Sequence, residues 1–117
     1  MTRITLTAAR SKAFIAQEGR CFYCGGLMWL DNLDQFATKL AISYRQAAAL
    51  QCTAEHLLPR SDGGRDCARN IVAACKYCNT QRHRRKRVRS AEEHQKFVRR
   101  RILVGRWLGL RKSLTSR

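Results

Sequence analysis

Cys52-Thr53-Ala54-Glu55-His56-Leu57-Leu58-Pro59-Arg60-Ser61-Asp62-Gly63-Gly64, with Asn70-Ile71-Val72-Ala73-Ala74-Cys75-Lys76-Tyr77-Cys78-Asn79-Thr80-Gln81-Arg82-His83 shortly after it, is the stretch whose reading decides the fold. Cys52 to Leu58 is a short run with apolar ends, the form of a strand. Pro59 has no N–H to give to a ladder, and Ser61-Asp62-Gly63-Gly64 is turn chemistry, so a loop follows. Ile71-Val72-Ala73 reads as a second strand. From Lys76 to about Arg89 neither Gly nor Pro interrupts the chain, which predicts a helix. The order is therefore strand, loop, strand, helix.

Outward from that stretch, Cys75 and Cys78 repeat the spacing of Cys21 and Cys24. Cys21-Phe22-Tyr23-Cys24-Gly25-Gly26 reads as a tight turn whose glycines let backbone amides approach the sulfurs. Two Cys-x-x-Cys pairs supply the four thiolates of a tetrahedral zinc site and leave no position open for substrate, so the ion expected there is structural. The segment between the pairs, 25–74, is longer than in ordinary zinc ribbons, and the metal would tie the two ends of a long insert together. Redox-active or merely buried cysteines are the competing reading; the match between two pairs favours the metal. Cys52 and Cys67 lack such a partner pattern and read as ordinary buried or free thiols.

The flanks read as helices. Residues 7–18 carry Ala8, Ala9, Ala13, Phe14 and Ile15 at helical period, with Gly19 as a stop. Residues 32–50 contain neither Gly nor Pro, and Leu33, Phe36, Ala37, Leu40, Tyr44, Ala47 and Ala48 recur at three- and four-residue steps. This is a helical insert, broken near Ser43, which can cap a second piece. Ser90 followed by Glu93 has the form of a capping box, opening a helix to about Val104 with Gly105 beyond it. On it Phe97, Val98, Ile102 and Leu103, with Trp107, are expected to pack onto the core, and His94 to be a surface or packing residue. The last third is thus a basic helix and tail, 90–117.

The chain has 117 residues and a formal net charge of +16. That is room for one domain, 1–117, with a core small enough for a metal to matter. Residues 80–117 hold 14 basic and 2 acidic side chains. Charge so polarised favours a polyanion, because each Lys or Arg set against a phosphate releases condensed counterions. Nucleic acid leads, an anionic membrane surface ranks behind it, and a solvated basic tail is the plain alternative for the charge run alone. No stretch approaches the roughly 20 apolar residues of a membrane span, and Met1-Thr2-Arg3-Ile4-Thr5 does not lead into a signal peptide, so a cytoplasmic protein with no membrane partner is expected. In that reducing setting six cysteines are poor candidates for structural disulfides.

The ordered set Glu55-His56, Gly63-Gly64, Asn70, Cys75 to Asn79 and His83 closely resembles the HNH (His-Asn-His) endonuclease family, over about residues 20–86. The resemblance implies an α+β, mostly helical small domain: a ββα-metal (His-Me finger) core, a structural four-cysteine zinc site, flanking helices, and an active site between hairpin and helix. It implies that His56 and Asn70 are catalytic. Asn70 is then the central Asn that braces the loop and orients the base, and His56 the general base, since an imidazole titrates near neutrality. Asn79 and His83, four apart on the predicted helix, share a face. With an acidic oxygen from Glu55 they would hold a catalytic divalent ion, Mg2+ or Mn2+ ahead of other transition ions, in a site open to water and phosphate. Which of Glu55, Asn79 and His83 touch the ion stays open, because the family's first position is often Asp and its last is not always His. Neighbouring side chains on a regular strand also face opposite ways, so Glu55 and His56 can share one phosphate only if the strand twists or ends there.

Arg82, Arg84, Arg85, Lys86, Arg87 and Arg89 crowd the helix of His83, and with Arg60 they are the expected nucleic-acid-binding residues; Lys96, Arg99, Arg100 and Arg101 extend the surface. Such charges position a duplex without reading bases. Sequence specificity would then need a second subunit, as in a homodimer, or an accessory protein. The function that follows is a metal-dependent endonuclease hydrolysing phosphodiester bonds in DNA, double-stranded by preference, by nicking or double-strand cleavage. The alternative is a non-catalytic, zinc-stabilised nucleic-acid-binding module, which needs the cysteines and arginines but makes no demand on His56, Asn70 or His83.

Overall fold

The computed structural model describes residues 4–108. Its elements are α1 (Leu6–Ala16), α2 (Leu33–Leu40), α3 (Tyr44–Ala48), β1 (Cys52–His56), a 3-10 turn (Arg60–Asp62), β2 (Ile71–Cys75), α4 (Lys76–His83) and α5 (Ala91–Leu103). This is the small, mostly helical α+β fold expected, with a two-stranded sheet. β1 and β2 pair antiparallel, Cys52 opposite Cys75 and His56 opposite Ile71, and α4 leaves β2 without a linker.

Small residues let the layers close up. Ala73 and Ala74 of β2 are fully buried, and α1 lies across both strands. The Gln17 amide clamps the free edge of β2, donating to the Ala73 carbonyl at 2.9 Å and accepting from its N–H at 2.8 Å. That use of Gln17 as the C-cap ends α1 two residues before the expected Glu18, and Gly19 follows at φ 73°. Phe22 N–H donates to the same Ala73 carbonyl at 2.9 Å, which fastens the first cysteine turn to the sheet.

Capping residues set the remaining boundaries. The insert breaks where expected: Ala41 is left-handed at φ 54°, and Ser43 opens α3 in a capping box with Gln46. Ser90 and Glu93 form the second capping box, at the start of α5. The helix expected over Lys76 to Arg89 ends instead at His83. From Arg82 to Arg89 cations crowd the chain with no acid among them, and like charges three and four apart oppose a helix. The Arg82 side chain also turns back to donate to the Arg89 carbonyl at 3.0 Å, which requires the chain to fold over it.

The core is thin. Four of its thirteen buried members are Cys21, Cys24, Cys75 and Cys78, packed with Tyr23, Met28, Leu50, Val98 and Trp107. A metal on those sulfurs would therefore carry part of the role that apolar bulk plays in larger domains. α5 buries Ala91, His94 and Val98 on one face. Leu103, expected to pack, is 72% exposed; five residues beyond Val98, it lies about 140° around the helix from that face. His94 is wholly buried and is a packing residue: it meets the Tyr23 ring edge-on at 4.7 Å and the Cys78 carbonyl at 3.0 Å. Burial pushes its imidazole below the usual range, so the ring is neutral. Among the described residues no helix is long and apolar enough to cross a membrane. The expected basic tail 109–117 lies outside the described residues.

Candidate active site and metal centre

The four cysteines converge. Their sulfurs lie within 4.8 Å of one another, and all four residues are buried. Four sulfurs about 2.3 Å from a tetrahedral zinc stand about 3.8 Å apart, so the cluster needs little adjustment to close on an ion. Backbone amides already point at the sulfurs: Tyr23 N–H and Cys75 N–H to Cys21 Sγ at 3.3 Å, Gly26 N–H to Cys24 Sγ at 3.3 Å and Cys78 N–H to Cys75 Sγ at 3.4 Å. Trp107 Nε1–H adds a bond to Cys78 Sγ at 3.3 Å. Such donors suit thiolates and orient them. Burial pushes the Cys21 thiol up, but hydrogen bonds from the other three thiols outweigh it and hold Cys21 well below the usual range. Hydrogen bonding to Cys21 and Cys24 raises Cys75, and burial raises Cys78. One negative charge is thus accommodated readily, and four require a cation in their midst. Cys52, whose thiol burial raises to about 11, is a buried packing thiol as expected.

A second polar cluster sits at the end of β1. Glu55, 2% exposed, points inward. Its Oε2 accepts from Tyr23 OH at 2.9 Å and from Arg82 Nη1 at 3.1 Å, and its Oε1 lies 3.1 Å from His83 Nε2. Burial first, and then the Glu55 carboxylate, pushes the Tyr23 phenol far up, so it stays a donor. Glu55 and His83 therefore meet, as the sequence leads one to expect, and the His83 side chain is 36% exposed. Asn79 lies on the same helix but donates through Nδ2 to Thr53 Oγ1 at 3.0 Å.

Arg82 needs correction. It is not a phosphate-facing residue: it is 1% exposed, and besides Glu55, Tyr23 and Arg89 it donates to the His56 carbonyl at 3.0 Å and the Leu57 carbonyl at 3.1 Å. Beside the buried Glu55 side chain it supplies the opposite charge of an ion pair, Nη1 to Oε2 at 3.1 Å. Residue type and spacing carry no sign of this, because one arginine in a basic run looks like the next.

β1 ends at His56, and Glu55 and His56 are both paired to β2, opposite Val72 and Ile71. The loop behind His56 is built by Asn70. Its Oδ1 accepts from Leu58 N–H at 2.8 Å, and its Nδ2 donates to the carbonyls of Leu58 at 2.9 Å and Arg65 at 3.1 Å. Gly64 lets the loop close: a Cβ there would stand 1.7 Å from the Leu58 carbonyl oxygen. The loop brings up Asp66, which the sequence reading passes over. Its Oδ1 lies 2.8 Å from His56 Nε2, and Arg60 grips it through Nε at 3.1 Å and Nη2 at 2.6 Å.

Known families provide an independent comparison. Residues 42–85 match the family model for HNH endonuclease. No curated protein and no solved structure matches the chain significantly. The matched segment takes in β1, the loop, β2 and α4, the ββα unit expected, with Glu55, His56, Asn70, Asn79 and His83 all inside it. Cys75 and Cys78 fall within it as well, whereas Cys21 and Cys24 lie outside and reach it only through the fold.

Beyond the matched segment the basic side chains divide in two. Arg84, Arg85, Lys86 and Arg87 are exposed. Arg89 is half-buried, its guanidinium 3.7 Å from the centre of the Phe97 ring. Arg99 turns onto the first cysteine turn and donates to the Tyr23 carbonyl. Between the 84–90 segment and α5 runs an open groove of about 570 Å³, with Arg85, Arg87, Arg89, Lys96 and Arg100 along it and Phe97 on its wall.

Proposed function

We propose that the chain acts as one domain, a metal-dependent endonuclease that hydrolyses phosphodiester bonds in DNA, with His56 as general base. The observation that carries this reading is the meeting of three things at the end of β1: a buried carboxylate on a half-exposed imidazole, a second imidazole next in sequence, and an asparagine-braced loop behind it. A binding module has no need of that set.

The cysteine cluster fits a structural zinc ion, held by Cys21, Cys24, Cys75 and Cys78. The second site fits a divalent ion differently. Arg82 and Tyr23 occupy Glu55 Oε2, so Oε1 and His83 Nε2 form the ligating pair, and Asn79 Oδ1, with no hydrogen bond to a described residue, is the third candidate. Mg2+ or Mn2+ bound there would supply positive charge to the scissile phosphate and its leaving oxygen. Glu55, His83 and Asn79 would hold and orient it. His56 removes a proton from the attacking water as the new P–O bond forms and the ester P–O bond breaks, and the departing oxygen takes up a proton from solvent. Asn70 keeps the loop behind His56 in place. Arg84, Arg85, Lys86, Arg87 and Arg89 neutralise backbone phosphates on either side; Arg60, with its fork on Asp66, contributes through the outer edge of its guanidinium.

One observation favours the non-catalytic reading. Arg82 neutralises much of the Glu55 charge, which weakens the site for any cation. The same experiment separates the two. Protein stripped of loosely held ions is given supercoiled plasmid with Mg2+ or Mn2+. Nicked or linear product that disappears in His56→Ala supports the nuclease; DNA binding without cleavage by any divalent ion, with His56→Ala behaving like the parent, leaves only the binding module. Duplex DNA, single strands and RNA compared at one salt concentration identify the preferred polymer.

A further inference from the structure

We infer that Asp66 is a positioning residue for the reaction: it holds His56 in one tautomer and one orientation, with the proton on Nε2 and the lone pair of Nδ1 turned to the water it activates. The inference rests on the nuclease reading above and adds to it a residue that neither motif nor spacing singles out.

His56 Nε2 is 2.8 Å from Asp66 Oδ1, and no hydrogen bond to a described residue occupies Nδ1. The side chain is 15% exposed, so the ring is held by the protein while one edge stays within reach of solvent. A shared proton can sit on either partner, and two groups decide it. Hydrogen bonds from His56 and then Arg60 hold the Asp66 carboxyl below its ordinary range, and the Arg60 fork presents N–H donors to both of its oxygens, so the carboxylate is the acceptor for His56 Nε2. The acceptor is itself fixed: the Arg60 fork closes on both oxygens, at 3.1 Å to Oδ1 and 2.6 Å to Oδ2. Asp66 cannot swing away without Arg60 following, and the loop that carries both is tied by Asn70.

Fixing Nε2–H in this way does two things for a base at Nδ1. It removes the unproductive tautomer, in which Nδ1 carries the proton and cannot accept another. It also places a negative charge next to the imidazolium that exists once the proton has left water, which is the role of a carboxylate behind any catalytic histidine. The proton balance is simple: one proton passes from water to Nδ1, the Nε2 proton stays where it is, and Asp66 remains ionised.

Asn in place of Asp66 keeps shape but not donor balance. An amide offers one oxygen where His56 and Arg60 present three donors, so one of its N–H groups must face a donor, and the His56 contact is weakened or reversed. The test is made with Asp66→Asn and Asp66→Ala on the zinc-loaded full chain. Imidazole nitrogen NMR reads the tautomer of His56, and plasmid cleavage gives kcat and KM. The expected result is a protonated Nε2 in the parent, loss of that single-tautomer signal in both variants, and kcat lower by about 100-fold or more, with KM within about threefold and zinc content unchanged. A parent proton on Nδ1, or variants that keep both the His56 signals and kcat, overturns the inference. If His56→Ala cleaves like the parent, the nuclease reading fails by itself, and the NMR spectra still decide whether Asp66 sets the ring.

Discussion

Replacing Arg82 separates what the fold uses an arginine for from what its neighbours do. Arg82 is 1% exposed and donates to Glu55, Tyr23 and the carbonyls of His56, Leu57 and Arg89 at 3.0–3.1 Å. In Arg82→Ala the Glu55 carboxylate, its side chain 3% exposed, keeps only a phenol and an imidazole beside it. Removing one partner of a buried ion pair costs about 3–5 kcal/mol. Water entering the vacated space re-solvates part of the three carbonyls, so about 4 kcal/mol is the expected loss. At about 4 °C per kcal/mol for a domain of this size, the midpoint falls by about 15 °C. Denaturant unfolding followed by circular dichroism at saturating zinc measures it. Glu55→Gln in the same background should recover about 2 kcal/mol, because the unpaired charge is gone. Arg85→Ala, at an exposed position, should stay within about 0.5 kcal/mol of the parent and weaken DNA binding instead. A loss below about 1 kcal/mol for Arg82→Ala, with DNA affinity falling as in Arg85→Ala, would refute the buried-clamp account.

Gly64→Ala sets a Cβ 1.7 Å from Leu58 O and 2.8 Å from Pro59 O, both backbone atoms, so it should cost about 3 kcal/mol or more and abolish cleavage. Gly63→Ala, at φ 93° with nothing near its Cβ, should cost only about 1–2 kcal/mol of backbone strain; equal losses in thermal melts would contradict the close approach. Metal analysis should find one tightly held zinc per chain. Cys24→Ser or a strong chelator should remove it together with most of the helical signal, since structural zinc sites supply about 10–16 kcal/mol of binding free energy. Binding of a DNA duplex measured against salt should show Arg85→Ala/Arg87→Ala reducing the slope of log affinity on log salt by about 2; an unchanged slope would remove these residues from the phosphate contacts.

Local signals in the sequence carried the frame a long way. The matched Cys-x-x-Cys pairs, the Pro59 to Gly64 turn chemistry and the Ser43 and Ser90 caps act over a few residues each, and the fold places them as read. The pairing of Glu55 with His83 and the bracing by Asn70 were legible through an ordered motif whose members are spread over the chain. What escaped were relations that depend on direction in three dimensions. Arg82 and Arg84 are alike in composition, yet the helix turns one into the interior and the other to solvent. Leu103 looks like a core residue until its angle on α5 is known. Asp66 reaches His56 only because the loop folds back under Asn70 and Gly64; the turn chemistry of Pro59 to Gly64 announces a loop but not which side chain it returns to His56. The premature end of α4 belongs to the same class, since a tertiary bond from Arg82 to the Arg89 carbonyl overrides the absence of Gly and Pro.

Anomalous scattering from Mn2+ soaked into crystals of the zinc-loaded protein locates both ions at once. Two metal positions are expected: zinc among Cys21, Cys24, Cys75 and Cys78, and manganese on Glu55 Oε1 and His83 Nε2 with the unligated ring of His56 across from it. Manganese absent from the Glu55–His83 pair, or found with His56 turned away from it, would contradict the account.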